Sequence, residues 1–154
     1  MATIFKDRNR LHRPRRAFST PRRHIGTAKW VIIYTNQARA RSGLRPLARH
    51  LVLQSSAQGH SDFMARHAYS HEGVRGSSPH GRMKELGFSG MMTAENIFKY
   101  PARRDRKKLA KELVDGWMKS PGHRANILDG KLKYIGVGIA QSGDNVYATQ
   151  NFGG

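Results

Sequence analysis

The chain has no cysteine among its 154 residues. That excludes disulfide stapling, thiolate nucleophiles and cysteine-ligated zinc, so any metal must be held by His, Asp or Glu. Acid is scarce: 10 Asp and Glu against 28 Lys and Arg give a formal charge of +18. Long apolar runs are missing too. The longest, Trp30-Val31-Ile32-Ile33-Tyr34, falls far short of the roughly 20 residues a membrane helix needs. The basic start is not followed by an apolar stretch, so no secretory signal is readable. Several catalytic and nucleotide fingerprints are also absent. There is no Walker loop and no G-x-S-x-G. His71-Glu72 opens H-E-G-V-R rather than H-E-x-x-H, and Gly136-Val137-Gly138 lacks the third glycine of a dinucleotide loop.

What is present is unevenly spread. Residues 1–30 hold nine Lys and Arg and one acid, Asp7. Residues 1–27 carry Pro14 and Pro21 and no sustained periodicity, and read as a disordered basic arm; residues 28–154 read as one domain. The arm suits nonspecific binding of polyanions. With Phe5 and Phe18 as its only rings for stacking, it does not suit sequence-specific reading of nucleic acid. Its Arg, Ser and Thr content resembles an organelle transit peptide weakly, because the prolines interrupt any amphipathic helix.

Within the domain, Trp30, Ile33, Tyr34 and Ala38 predict a first helix that stops at Gly43. Leu53, Ala57, His60 and Met64 mark one stripe of a second helix, from about Arg49 to His67. His60 and His67 read as surface or satisfied interface histidines rather than ligands. Residues 68–81 form a polar loop, followed by a short helix capped by Ser78, with Pro79 behind it, and ending at Gly87. Thr93 to Lys99 is extended. The basic run at 101–108 reads as a solvated helix start. Two strands, Tyr134 to Gln141 and Val146 to Phe152, flank a hairpin loop at 142–145. Gly136 and Gly138 leave one strand face bare, suiting close approach of a helix or a ligand.

The densest stretch is Trp117 to Leu128, W-M-K-S-P-G-H-R-A-N-I-L. Leu109, Leu113 and Trp117 share a helix face. Pro121 ends that helix, and Ser120 is placed to cap a new one. His123 then lies in its first turn, where the positive end of the dipole favours a neutral ring able to accept a proton or a metal. The residues alone leave a small α+β domain with scattered His and Glu.

Taken in order, N-Q-A-R, G-L-R-P-L, S-D-F-M-A, Ser70-His71, A-E-N-I, W-M-K-S-P-G-H-R-A-N-I-L, I-G-V-G-I-A and Q-N-F form a series that resembles the CAP superfamily. That superfamily groups cysteine-rich secretory proteins, antigen 5 and pathogenesis-related proteins; the form resembled is the cysteine-free SCP domain of prokaryotes. The resemblance covers about residues 28–154. It implies a three-layer α-β-α sandwich around a small antiparallel sheet, and a central cleft lined by two histidines and two acids. Matched by motif, His71, Glu95 and His123 take three of those positions. Ser120 stands where many relatives have the second acid, three residues after the tryptophan, as a further cleft-lining residue.

Two imidazoles and one carboxylate are a credible ligand set for a divalent metal such as zinc. The leading expectation is a non-enzymatic binding module whose cleft takes a metal, small lipid or peptide. The alternatives are a metal-assisted hydrolase with Glu95 as base, and a polyanion-binding module working through residues 1–27. Family resemblance implies an extracellular protein; the unreadable signal leaves a cytoplasmic one as the alternative.

Overall fold

Side chains on β-strands alternate between the two faces of a sheet, and here that alternation separates a bulky face from a bare one. The computed structural model of the protein describes residues 22–154. Its elements are α1 (Arg22–Arg41), β1 (Ala48–Arg49), α2 (Leu51–Arg66), α3 (Pro79–Glu85), β2 (Thr93–Pro101), α4 (Arg106–Lys119), α5 (Pro121–Ile127), β3 (Tyr134–Ser142) and β4 (Asn145–Gly153). A 3-10 turn, Val74–Gly76, precedes α3. The strands form one sheet in the order β1-β3-β4-β2. Helix α2 packs on one face against β3 and β4, while α1 and α4 pack together on the other side. This is the expected three-layer α-β-α sandwich.

The three long strands are antiparallel; the two-residue β1 is parallel to β3, a pairing too short for any sequence period to reveal. The larger core lies on the α1/α4 side, where Val31, Leu113, Trp117, Ile135, Val137, Ile139 and Phe152 are buried together. Burying each such side chain fully contributes about 1.5–3 kcal/mol. Trp117 is wholly buried, and its indole N–H donates to the Ile97 carbonyl at 3.1 Å.

On the bare face, Gly136 and Gly138 sit against the backbone of α2: a methyl group at either would land on the Leu53–Gln54 or Ala57–Gln58 peptide. The close approach is therefore by a helix. Beyond the end of β1, the amide of Gln58 takes over the open edge of β3, accepting from Ile139 N at 3.1 Å and donating to Ile139 O at 3.0 Å.

The first helix corrects two expectations. It includes Arg22, so residues 22–27 belong to the fold rather than to the arm, and His24 and Thr27 are buried. The expectation for residues 1–21 lies outside the described residues. The buried stripe of α1 is Ala28, Val31, Thr35 and Ala38 rather than Trp30, Ile33 and Tyr34. Near its end Arg39, 1% exposed, donates to the carbonyls of Arg45, Ile127 and Asp129 at 2.8–2.9 Å, tying α1 to the chain around α5. Burial lowers the guanidinium pKa, opposed by the nearby Asp129 charge.

Candidate functional site

Glu95 and Asn96 are neighbours on β2, so their side chains leave the sheet on opposite faces. Across the ladder Glu95 pairs with Asn151, and Asn96 with Gln150. On the α2 side the Glu95 carboxylate, 1% exposed, is enclosed by donors. Arg82 Nη2 of α3 reaches Oε2 at 2.8 Å, and His71 Nδ1 reaches Oε1 at 3.0 Å. The amide of Asn151 is assigned from its surroundings: its nitrogen donates to Glu95 Oε2 at 2.9 Å, and its oxygen accepts from Ser56 Oγ and Ala57 N. His60 Nε2 stands 3.8 Å from Oε1 and donates to the Ser70 carbonyl at 2.7 Å. Arg82 also donates to the carbonyls of His71 and Ser77, fixing the loop that carries His71.

On the opposite face Asn96 heads a second network. Its amide donates to Gln150 Oε1 and to the His123 carbonyl, each at 3.1 Å; Asn126 Nδ2 donates to Asn96 Oδ1 at 2.9 Å; Gln150 donates to Thr35 Oγ1 at 2.7 Å. This explains why S-P-G-H-R-A-N and A-E-N belong together. Asn126 and the His123 backbone lock α5 onto β2, which sets His123 near the Glu95 end of that strand. Ser120 is the residue between α4 and α5 as expected, but its hydroxyl makes no capping bond; its carbonyl accepts from Arg124 N at 2.8 Å.

The structure thus brings His71 onto Glu95 and leaves His123 on a separate element. Among the described residues, no three His, Asp or Glu side chains are grouped so as to hold a metal ion. The His123 pKa is lowered by burial first and by the neighbouring His71 second. The ring is disposed to be neutral, as expected, but through burial rather than through the helix end. His71 uses Nδ1 on Glu95 and is half-exposed, so Nε2 is the atom left to meet a ligand.

Two residues of the site, Arg82 and Asn151, escaped the sequence reading, while His60, read there as a surface or satisfied interface histidine, is buried and bonded to the Ser70 carbonyl. His60 lies on the buried stripe of α2, and only the fold shows that the stripe meets Glu95. Burial lowers its pKa, partly opposed by the charge of Glu95. Both His60 and His123 titrate near 6.5 when unfolded and lower when folded. Below 6.5 the unfolded chain therefore binds more protons, and stability falls as pH falls, by at most about 1.4 kcal/mol per pH unit for each ring. Urea unfolding between pH 7.5 and 5 should show this slope, flattened in His60→Gln. An unchanged slope in the variant would show that His60 is not its source.

A family model described as "Cysteine-rich secretory protein family" (CAP) matches residues 32–152. The chain is 37% identical over 116 residues to the protein YkwD of Bacillus subtilis (strain 168), covering 75% of this chain and 43% of that one. It is 32% identical over 129 residues to the membrane protein YlbC of the same organism, covering 80% and 33%. The chain thus spans less than half the length of these relatives. Among solved structures, an extracellular protein containing an SCP domain from Bacillus anthracis superposes with a TM-score of 0.70 at 30% identity, covering 84% of this chain and 40% of that one. An outer surface protein of Borrelia burgdorferi gives 0.74 at 16% identity, covering 84% and 93%, a likeness of fold. No helix of the described residues is long and apolar enough to cross a membrane.

Proposed function

The chain belongs to the cysteine-rich secretory protein (CAP) family, and from that premise we propose that it is a binding domain rather than an enzyme, its cleft presenting the ring nitrogens of His71 and His123 to a divalent metal or a small ligand. One observation carries this reading. Glu95 is enclosed: its two oxygens accept from Arg82, His71 and Asn151, and only 1% of the side chain is exposed. A carboxylate so committed is badly placed to take a proton from water, which counts against a hydrolase using Glu95 as base. It is equally badly placed as a direct ligand, since a dication there would lie against the Arg82 guanidinium.

The donor set therefore does not fit a three-ligand zinc site. The reading is instead a dication on the two imidazoles, supported by the charge coupling of His123 to His71, with Glu95 behind His71 orienting the ring and the remaining positions left to water. Two protein ligands supply roughly half of the 10–16 kcal/mol of a structural site, a Kd on the order of 1–200 µM. Extracellular placement belongs to the same reading, supported by the Bacillus anthracis relative, an extracellular protein.

Titrating the full chain with Zn²⁺ while following the histidine ring resonances tests the proposal. Saturable shifts at His71 and His123 are expected, lost in His71→Ala and weakened about tenfold in Glu95→Gln, as for a group that orients a ligand. No saturable shift at either ring by about 1 mM zinc would remove the metal and leave the cleft to peptide or lipid ligands.

A further inference from the structure

At the far end of β2 from Glu95 the chain builds a second concavity, sharing no residue with the cleft. Its volume is about 380 Å³, and its walls include His24 and Thr27 of α1, Arg103 and Arg104 of the β2–α4 connection, Arg106 of α4 and Gln141 of β3. We propose that this pocket binds a phosphate-bearing anion.

The first support is charge. From Lys99 to Lys111 there are seven Lys and Arg and one acid, Asp105. That acid is already engaged as the cap of α4, accepting from Lys108 N at 3.0 Å. Glu112 is held by Arg103 Nε at 3.3 Å. Asp144 lies in the β3–β4 turn, where its backbone carbonyl accepts from Ala102 N. Three guanidinium groups on one small concavity give a field that favours a compact anion, and their planar forks match phosphate oxygens.

The second support is construction. Arg103 is steadied by Glu112, by its bond to the Ala102 carbonyl and by the Tyr100 ring, 5.7 Å from its guanidinium carbon. Arg106 lies across Gly26 of α1, where an added Cβ would stand 2.9 Å from its Cδ and 3.2 Å from its Nη1. Glycine inside a helix is unfavourable, and here its missing side chain is the seat of Arg106.

The third support is a local conflict that a ligand would relieve. The first turn of α4 is Arg106, Lys107 and Lys108, cations at the helix end that favours anions. The pocket is of a size for a phosphate or diphosphate group. Among the described residues its walls include no Phe, Tyr or Trp, and the one ring there, His24, is buried, which disfavours single-stranded nucleic acid as the occupant.

The test is an NMR titration of the full chain with inorganic pyrophosphate at 150 mM salt. Saturable amide shifts are expected at Thr27, 102–106 and Gln141. Arg104→Glu combined with Arg106→Glu should weaken binding at least tenfold. Gly26→Ala should weaken it severalfold with no change of net charge, by displacing Arg106. Lys131→Glu, at the opposite end of β3, should change it less than twofold.

Vesicles of phosphatidylglycerol and phosphatidylcholine form a second arm. Binding that the Arg104/Arg106 variant abolishes identifies the phosphate as a lipid headgroup; pyrophosphate binding without vesicle binding identifies a soluble phosphate compound. Shifts absent from residues 102–106, a Gly26→Ala variant that binds as well as the parent, or equal losses in Lys131→Glu would each overturn the pocket.

Discussion

Replacing Arg82 with alanine should destabilise the protein by about 3–5 kcal/mol, the usual cost of leaving one member of a buried ion pair without the other. Arg82 is 12% exposed and Glu95 1%, so solvent does little to screen the loss. The variant also strips the donor from the carbonyls of His71 and Ser77, which ties the loop at 70–78 to α3. Two consequences separate this from simple loss of packing. Adding Glu95→Gln to Arg82→Ala should restore part of the stability, because the buried charge is gone; the two changes are in contact and will not be additive. His71, whose ring is oriented by Glu95 and whose backbone is held by Arg82, should show broadened ring resonances in Arg82→Ala. Urea unfolding of the two single variants and the double checks the first point. A loss below about 1 kcal/mol would mean that Glu95 is satisfied without Arg82, and the enclosure argued for the cleft would fail with it.

How much of this could be read from the sequence depended on whether the deciding interaction was local. The stripe Leu53, Ala57, His60 and Met64 is buried as its spacing predicts, and Ser78 caps α3 by accepting from Gly81 N at 3.0 Å. Strands β3 and β4 and the turn between them follow from alternation and from Gly143, whose φ of 57° suits a tight hairpin. The start of α1 was not legible, because Arg22, Arg23 and Gly26 are poor evidence for a helix on their own; packing of α1 against α4 overrides them. Nor was its stripe, since W-V-I-I-Y offers two apolar faces. The face chosen is the one whose polar members, Thr35 and Arg39, find Gln150 and the carbonyls near α5. In the site, the A-E-N and S-P-G-H-R motifs led to Glu95 and His123. Arg82 could not be singled out among 28 Lys and Arg, and Asn151 owes its role to strand register, which no local pattern reports.

Gly138→Ala should be among the most damaging single-methyl changes in the chain, costing about 3 kcal/mol or more. Overpacking a core typically costs about 1–3 kcal/mol when side chains can move aside. Here the obstacle is the Ala57–Gln58 peptide of α2, and backbone cannot turn away as a side chain does. Gly43→Ala is the useful contrast: its φ is 74°, but nothing lies within 4 Å of the added methyl, so it bears the backbone strain alone, about 1–2 kcal/mol. Thermal or urea unfolding of both variants separates steric conflict from strain, and equal losses would contradict the close packing of α2 on β3. The same turn of α2 also reaches the cleft. Ala57 N donates to the Asn151 amide oxygen, and Asn151 donates to Glu95. Forcing α2 away from β3 therefore loosens one of the three donors that enclose Glu95, and it shifts His60 with them. In the folded fraction of Gly138→Ala the His71 ring resonances should move although the substitution touches no cleft residue. Unmoved resonances would show that the bare face of β3 serves packing alone. A shift would tie the two glycines of I-G-V-G-I-A to the site: they let α2 come close enough for its backbone to help hold Glu95.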